Sequence, residues 1–202
     1  MRDHSEIVRR IFKILCAYKP QPEGLYERLL EVMTGQFYPS REVLFDRGEV
    51  VTDAIFVSSG YVSRVLYDEG LEPQVVNIFR EGDIIAGKSF TEQKPSPEVA
   101  LVALPGTYIM RISAEAILGV YEEFDTSEEL ARLVMADMSE REPARLRLLK
   151  RDSETVILSF YQEFPTFLKE SMMTDSDVAS YLLISESTLR NVRAKLIREN
   201  RL

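Results

Sequence analysis

The stretch Thr174–Ile197, TDSDVASYLLISESTLRNVRAKLI, has the residue pattern of two short helices joined by a tight turn. Thr174 is a good N-cap residue, and the acidic residues that follow it favour the positive end of a helix dipole. Ser185 begins the second helix in the same way, with Glu186 directly after it. The small side chain of Ala179 lets the second helix cross the first closely, so the stretch predicts a helix-turn-helix.

The second of these helices has two different faces. Leu189, Val192 and Leu196 recur at helical spacing and predict the buried face. The other face carries polar side chains able to reach base edges and phosphates in a DNA major groove. Leu183 favours an ordinary helical hairpin instead, because it occupies a turn position where a left-handed backbone suits Gly. With the two N-caps included, the candidate DNA contacts are Thr174, Ser185, Glu186, Ser187, Thr188, Arg190, Asn191 and Arg193.

Charge is distributed unevenly along the 202 residues, a length that suits one large or two small domains. The net charge of −8 argues against a nucleic-acid partner at first sight. Residues 185–202, however, hold five Arg or Lys against two Glu, a local charge of +3, whereas acidic residues concentrate in 115–129. Because the charge of the contacting face sets phosphate attraction, DNA binding remains compatible with this composition.

Composition also excludes several classes of site. Cys16 is the single cysteine and His4 the single histidine, so we expect no disulfide within the chain, no metal or haem site and no cofactor. No P-loop or nucleophile elbow occurs, and we expect no catalytic residues and no enzyme. No apolar run approaches the roughly 20 residues of a membrane span. The N-terminus has no apolar signal-peptide core, and a cytoplasmic location with no membrane partner is expected.

The remaining chain divides by pattern into helical and strand-rich segments. Residues 5–34 contain two amphipathic helical patterns, which we expect to pack on a following β domain. Residues 37–112 alternate short β-branched and aromatic runs with glycine-marked turns, as in a sandwich or barrel. Helices are predicted over Ser113–Glu123, over Thr126–Leu149 with Pro143 kinking or breaking it, and over about Ser153–Phe164.

The long helical stretch Thr126–Leu149 carries an apolar stripe of Leu130, Leu133, Val134 and Met138. This stripe exceeds what a lone helix on a small domain needs, and it predicts a homodimer interface. The alternative is that the stripe packs on the chain's own β domain.

The order of these parts resembles the Crp/Fnr family of bacterial transcription regulators, from about residue 25 to the C-terminus. The resemblance is carried by LFDRGEVVTDAIFVSSGYVSRVLYDEG, NIFREGDIIAG, the long helix and TDSDVASYLLISESTLRNVRAKL. It implies an α+β fold with an N-terminal β-roll (a double-stranded β-helix jelly roll with flanking helices), a long dimerisation helix and a C-terminal helix-turn-helix domain. It also implies double-stranded DNA with a near-palindromic operator, a second copy of the chain and RNA polymerase as partners. The expected domains are residues 1–140 (sensor and dimerisation helix) and 141–202 (DNA-binding).

Aligning the second helix with the family's recognition helix assigns a role to its polar residues. Glu186 would accept a hydrogen bond from cytosine, Asn191 would pair with adenine and Arg190 with guanine. Thr188 and Arg193 would lie nearer the flanks of the helix and contact phosphates.

Two departures from the family pattern concern the effector and the wing. The cassette that binds cyclic nucleotide elsewhere reads GDIIAGKSFTEQKPSPEVALVAL here, with Glu98 where an arginine should hold the phosphate. We therefore expect an unknown small-molecule effector or none, and not cyclic AMP. After Leu196 six residues remain in this sequence, so the wing is expected to be reduced or absent. The candidate effector pocket, with an anion-binding turn near its end, is Gly82, Asp83, Ala86, Gly87, Lys88 and Ser89.

These observations bear on three possible functions. The favoured one is a homodimeric DNA-binding regulator. The second is a ligand-sensing or interaction module whose helix-turn-helix no longer binds DNA, for which Leu183 and the acidic net charge argue. An enzyme is the third, and no motif supports it.

Overall fold

The computed structural model describes residues 3–67, 72–86, 88–96, 98–169 and 172–202, with the side chains of 88, 89 and 138–144 outside that description. The fold is α+β, as predicted, and consists of two antiparallel four-stranded sheets with helices against both outer faces. No helix in these ranges combines the length and apolarity that a membrane crossing needs.

The N-terminal helices are amphipathic and lie on the strand-rich part. Helix α1 spans His4–Tyr18 and helix α2 spans Glu23–Val32. The Asp3 side chain caps α1 by accepting a hydrogen bond from the Ser5 backbone. Val8 and Leu25 are 0% and 2% exposed, since the apolar faces of these helices pack against the strand-rich part of the chain. The prediction that these helices pack on the β domain is confirmed.

Eight short strands form the β-roll. They are β1 (Thr34–Tyr38), β2 (Glu42–Phe45), β3 (Asp53–Ser59), β4 (Tyr61–Leu66), β5 (Gln74–Arg80), β6 (Ile84–Ile85), β7 (Val99–Ala103) and β8 (Thr107–Ser113). One sheet, sheet A, has the order β1-β8-β3-β6, and the other, sheet B, has the order β2-β7-β4-β5. Consecutive strands thus alternate between sheets at several points, which is the jelly-roll arrangement.

The turn between β3 and β4 shows why one of the glycines is needed. Gly60 has a φ of +76°, and a Cβ there would lie 2.7 Å from the Cα of Thr107. Thr107 fills the remaining space and ties the turn down, because its hydroxyl donates to the Tyr61 carbonyl at 2.8 Å and accepts from the Tyr61 N–H at 3.0 Å. A larger residue at 60 would separate the sheets at this corner.

The helices after the first strands are α3 (Lys88–Glu92), α4 (Ala114–Glu123), α5 (Ser127–Leu149), α6 (Ser153–Glu163), α7 (Thr166–Lys169), α8 (Asp175–Leu182) and α9 (Glu186–Arg198). Helix α5 passes through Pro143 without ending, so the predicted break at that residue is wrong, and the alternative, a kink, stays a prediction. Proline removes one backbone donor, and a helix of 23 residues retains enough other hydrogen bonds to continue. Helix α5 also runs across the predicted domain boundary at residue 140, and the division into two domains at that residue stays a prediction.

Side chains form three apolar layers. The space between the sheets is filled by residues of alternate strand positions, among them Phe45, Ile55 and Ile109. The outer face of sheet A packs against α1, α2, α4 and α5. The outer face of sheet B packs against α6, α8 and α9, with Val75 and Phe160 buried in the same layer.

The predicted dimer stripe on α5 needs correction. Leu130 and Val134 are 4% and 6% exposed, because they pack into the layer between sheet A and α1 of the same chain. They cannot face a second copy, and the alternative of packing on the chain's own β domain holds for them. Leu133 is half-buried on the edge of this face, and the side chain of Met138 lies outside the described residues.

Candidate nucleic-acid interface

Helix α8 begins with a reciprocal cap. The Thr174 hydroxyl accepts a hydrogen bond from the Asp177 N–H at 3.0 Å, and the Asp177 carboxylate accepts one from the Thr174 N–H at 3.2 Å. Two of the N–H groups that a helix start leaves without partners are satisfied in this way. Thr174 is therefore the predicted N-cap, and its hydroxyl is engaged in the cap.

The turn between α8 and α9 is closed by backbone hydrogen bonds. Leu183 adopts φ 55° and ψ 41°, the left-handed conformation that its position in the sequence predicted. The N–H of Ile184 donates to the Ala179 carbonyl at 3.1 Å, and the N–H of Leu183 donates to the Ser180 carbonyl at 3.3 Å. This pair of bonds is a Schellman motif, which normally favours Gly at the residue that Leu183 occupies. The turn therefore forms in spite of Leu183.

Helix α9 is capped and fixed by its apolar face. The Ser185 hydroxyl accepts from the Thr188 N–H at 3.1 Å, as predicted for the second N-cap. Leu189 and Leu196 are fully buried against α6, and Val192 is half-buried in the same layer. The α9 face opposite to them is left at the surface.

The predicted base-contacting residues lie together on that surface. Ser187, Arg190 and Asn191 are exposed, and Glu186 is partly exposed one turn before Arg190. The Glu186 carboxylate accepts a hydrogen bond from Arg190, whose side chain remains 59% exposed. Thr188 is half-buried, and its hydroxyl lies 2.8 Å from that of Ser185.

Arg193 occupies a different environment from the one predicted. Its guanidinium donates to both carboxylate oxygens of Asp175 at 2.7 and 3.0 Å, and to the Tyr161 hydroxyl at 3.0 Å. Hydrogen bonds from Arg193 lower the pKa of Asp175 below its usual value, and the same bonds raise the pKa of Arg193. Arg193 thus holds the start of α8 against α9 and α6 with its donors, and its assignment to a flanking phosphate stays a prediction.

Asp175 is the residue at this surface that sequence analysis missed as a specific partner. Besides Arg193, it accepts a hydrogen bond from the Arg190 Nε at 3.2 Å. Its place in the first turn of α8 suggested a helix-dipole role alone, since a pair 18 residues apart in sequence leaves no local pattern. One carboxylate therefore orients two of the arginines on α9.

Other cations on and after α9 are also paired within the chain. Glu154 of α6 accepts from Lys195 at 2.5 Å and from Arg201, and these bonds lower the pKa of its carboxyl. Arg198 donates to the Ala194 carbonyl of its own helix at 3.3 Å. The residues after α9, 199–202, contain no strand. The local positive charge predicted for 185–202 is therefore partly neutralised by α6 and α8.

The β-roll contributes to the interface at the start of α8. Arg41, in the segment before β2, donates to the two Asp177 oxygens at 2.6 and 3.4 Å. Burial raises the pKa of Asp177, but the hydrogen bonds and charge of Arg41, together with the hydrogen bonds to Thr174, outweigh it and the pKa is lowered. Ser180 accepts a hydrogen bond from the Val75 N–H of β5 at 3.0 Å. Helix α8 thus forms polar contacts with two segments of the β-roll, at Arg41 and at Val75.

Three residues of the predicted effector pocket belong to the described part of the chain. Gly82, with φ of +95°, and Asp83 form a turn clamped on β3, since the Gly82 N–H donates to the Val57 carbonyl and the Val57 N–H to the Asp83 carbonyl, both at 2.9 Å. The Asp83 carboxylate accepts from the Arg80 N–H at 2.8 Å. Ala86 faces the apolar layer outside sheet A. The other three predicted pocket residues, Gly87, Lys88 and Ser89, lie outside the described residues or side chains.

Comparison with known proteins identifies relatives by fold. No family model and no curated protein sequence matches the chain. Among solved structures, FixK2 from Bradyrhizobium japonicum is 17% identical with a TM-score of 0.68, covering 84% of this chain and 86% of its own. A protein from Eubacterium rectale described as a transcriptional regulator of the crp/fnr family is 14% identical with a TM-score of 0.68, over 91% of this chain and 88% of its own.

A third solved structure extends this comparison to a ligand-responsive regulator. CLP from Xanthomonas campestris, a c-di-GMP responsive global regulator, is 18% identical with a TM-score of 0.63, over 89% of this chain and 93% of its own. At such identities the likeness shows the fold, which is that of the Crp/Fnr regulators, and the predicted fold is confirmed.

Proposed function

We propose that this chain is a DNA-binding transcription regulator of the Crp/Fnr type, and not an enzyme. The observation that carries the proposal is the capped helix-turn-helix, whose α9 is buried on one face and presents Ser187, Arg190 and Asn191 on the other. The shared fold with solved regulators supports the same function. Placed in a major groove, this face would meet base edges directly.

The chemistry of the exposed side chains assigns each a base. Asn191 suits adenine because its amide offers one donor and one acceptor, and Arg190 suits guanine because its fork matches two acceptors. Glu186 would accept from cytosine. To reach a base, Arg190 must leave Glu186 and Asp175, and exposed ion pairs of this kind cost about 0–1 kcal/mol each to break.

Selection of binding sites from random double-stranded DNA, followed by gel shifts, tests this assignment. Arg190→Ala and Asn191→Ala should each weaken the selected site by about 1–3 kcal/mol and relax the preference at one base pair. Arg198→Ala is the matched control, because Arg198 lies in the last turn of α9 and should affect all sequences alike. Equal weakening of every sequence by Arg190→Ala would remove it as a base-contacting residue.

We further propose that the regulator is a homodimer that binds a near-palindromic operator, with half-sites about one helical turn apart. Because the Leu130 face of α5 is buried, the pairing surface is assigned to the opposite, exposed face, on which Ala136 lies two residues after Val134. Ala136→Glu should yield a monomer by sedimentation, whereas Ala17→Glu, an exposed change on α1, should not. A dimer that survives Ala136→Glu rejects this face.

The effector and the further partners are part of the same proposal. RNA polymerase is the expected protein partner, the cytoplasm the expected location, and the effector is a small molecule other than cyclic AMP. Calorimetry with cyclic AMP should show no binding at micromolar concentrations. Micromolar binding would show that Glu98 does not exclude the phosphate.

One observation favours the second function, an interaction module whose helix-turn-helix no longer binds DNA. Arg190, Arg193 and Lys195 are each paired with a carboxylate of the same chain, which lowers their attraction for phosphates. Phosphate contacts supply most of the non-specific affinity for DNA. A module without them would bind DNA too weakly for any sequence to be selected, even at low salt. The site-selection experiment therefore distinguishes the two functions directly.

A further inference from the structure

A cavity of about 160 Å³ lies between the outer face of sheet A and the helices that cover it. Its walls come from Phe56 of β3, Leu25 of α2, Ile117 of α4 and Val134 of α5, with Phe90 of α3. Protein cores are normally packed with few voids larger than a water molecule. A cavity that is several times larger than a water molecule and is bordered by several helices and strands has the size of a ligand site.

The residues that line the cavity indicate the polarity and charge of a ligand that it can bind. Apolar side chains form nearly all of it, and neither Lys nor Arg is among the described residues that line it. Ser127 reaches the wall, but its hydroxyl already donates toward the Phe124 carbonyl at 2.6 Å and the Val120 carbonyl at 3.2 Å. Burial raises the pKa of Tyr121, whose phenol therefore stays neutral at the wall. Among the described residues of the wall an anionic phosphate finds no counter-charge, whereas an uncharged apolar molecule needs none.

The volume of the cavity further restricts which class of ligand it can hold. Dry apolar cavities of about 150 Å³ in other proteins accept benzene or xenon. The cavity of this protein has about the same volume, so a molecule of one aromatic ring matches it in size.

We propose that this cavity binds a small uncharged apolar molecule of about the size of one aromatic ring, and that its occupancy is transmitted through α5. This inference rests on the proposed function only for its effect on DNA, since binding itself needs no operator. Ala131 and Met135 of α5 line the cavity, and further along the same helix Arg145 donates to the Tyr181 carbonyl of α8 at 2.7 Å. A ligand that fills the cavity therefore contacts the helix whose other half touches the helix-turn-helix.

Methionine methyl NMR with benzene as the probe tests the site. Met33 and Met135 line the cavity, whereas Met172 and Met173 pack in the separate layer outside sheet B. Saturable benzene binding should shift the first two methyl signals and leave the last two in place. No shift at any of them, or equal shifts at all four, would overturn the proposal.

Filling the cavity supplies the matched control. Ala131→Leu should abolish the benzene shifts, and Ala17→Leu on the exposed side of α1 should keep them. If Ala131→Leu fails to fold by circular dichroism, Ala54→Val narrows the cavity from β3. Full benzene binding in a folded Ala131→Leu or Ala54→Val variant would also overturn the site.

The effect on DNA is measured separately, as the affinity for the selected operator with and without benzene. A change that disappears in Ala131→Leu supports transmission through α5. Benzene binding with an unchanged operator affinity overturns the transmission and leaves the site intact. Benzene binding by a protein that selects no DNA rejects the proposed function and, again, leaves the site intact.

Discussion

Leu183→Gly should stabilise the protein, because Leu183 adopts the left-handed conformation with φ 55° and ψ 41°. A left-handed backbone costs a residue with a Cβ roughly 1–2 kcal/mol, and glycine avoids this cost. Glycine also has more conformational freedom in the unfolded chain, which lowers the free energy of unfolding by about 0.4–1 kcal/mol. The Leu183 side chain is 58% exposed, so its removal sacrifices little burial. We expect a net gain of about 0.5–1 kcal/mol.

Leu183→Ala separates the backbone effect from the loss of the side chain. Alanine keeps the Cβ, so this variant should be less stable than Leu183→Gly by about 1 kcal/mol. Urea unfolding followed by circular dichroism measures the difference, with the slope on denaturant unchanged between variants. The helix-turn-helix shares its apolar layer with sheet B, so its stability is registered in the main transition.

A second control should move in the opposite direction. Ala194 is exposed in the middle of α9, and Ala194→Gly should destabilise the protein by about 0.5–1 kcal/mol because the helix interior disfavours glycine. If Leu183→Gly were as destabilising as Ala194→Gly, the strain assigned to the turn would be refuted. Operator affinity should be unchanged in Leu183→Gly, because the turn keeps the same backbone angles.

Two further predictions concern the ion pairs that the α8 residues Asp175 and Asp177 form. Asp175→Asn should cost about 1 kcal/mol at neutral pH. Folding lowers the pKa of Asp175, so its contribution to stability is present above the unfolded pKa of about 4 and is lost as the pH falls below that value. The unfolding free energy of Asp175→Asn should therefore depend less steeply on pH in this acid range than that of the unchanged protein. Equal slopes would contradict the pairing with Arg193. Arg41→Ala should lower the unfolding free energy by about 1 kcal/mol, and by less in an Asp177→Asn background, where a double-mutant cycle showing no coupling would exclude the contact.

Local chemistry made the helix-turn-helix predictable. N-caps act over three residues, so Thr174 and Ser185 could be assigned from their immediate neighbours. The left-handed turn at Leu183 followed from the same spacing. Strands of the β-roll could be placed because alternating apolar runs and glycine turns are also local signals.

Partners distant in sequence could not be predicted. The stripe on α5 indicated a buried face, but periodicity does not say whether a face packs on its own chain or on a second copy. For Leu130 and Val134 it is the chain's own sheet A. Asp175 and Arg193 meet only because α9 crosses α8, so the fold had to be known before the ion pair. The short helix α7 was missed because Thr166–Lys169 is one turn long and Pro165 precedes it.

The way α8 packs on sheet B limits how the helix-turn-helix can move. Val75 and Ile78 of β5 share a buried layer with Val178 and Leu182 of α8. Burial of each such side chain contributes about 1.5–3 kcal/mol, whereas the partly exposed pair of Arg41 and Asp177 contributes about 1 kcal/mol. Rotation of α8 and α9 away from the β-roll would therefore be opposed mainly by apolar contacts. A signal that reorients α8 and α9 therefore has to keep this apolar layer covered. A small shift of α5 and α8 together does so, whereas full separation of the helix-turn-helix from the β-roll does not.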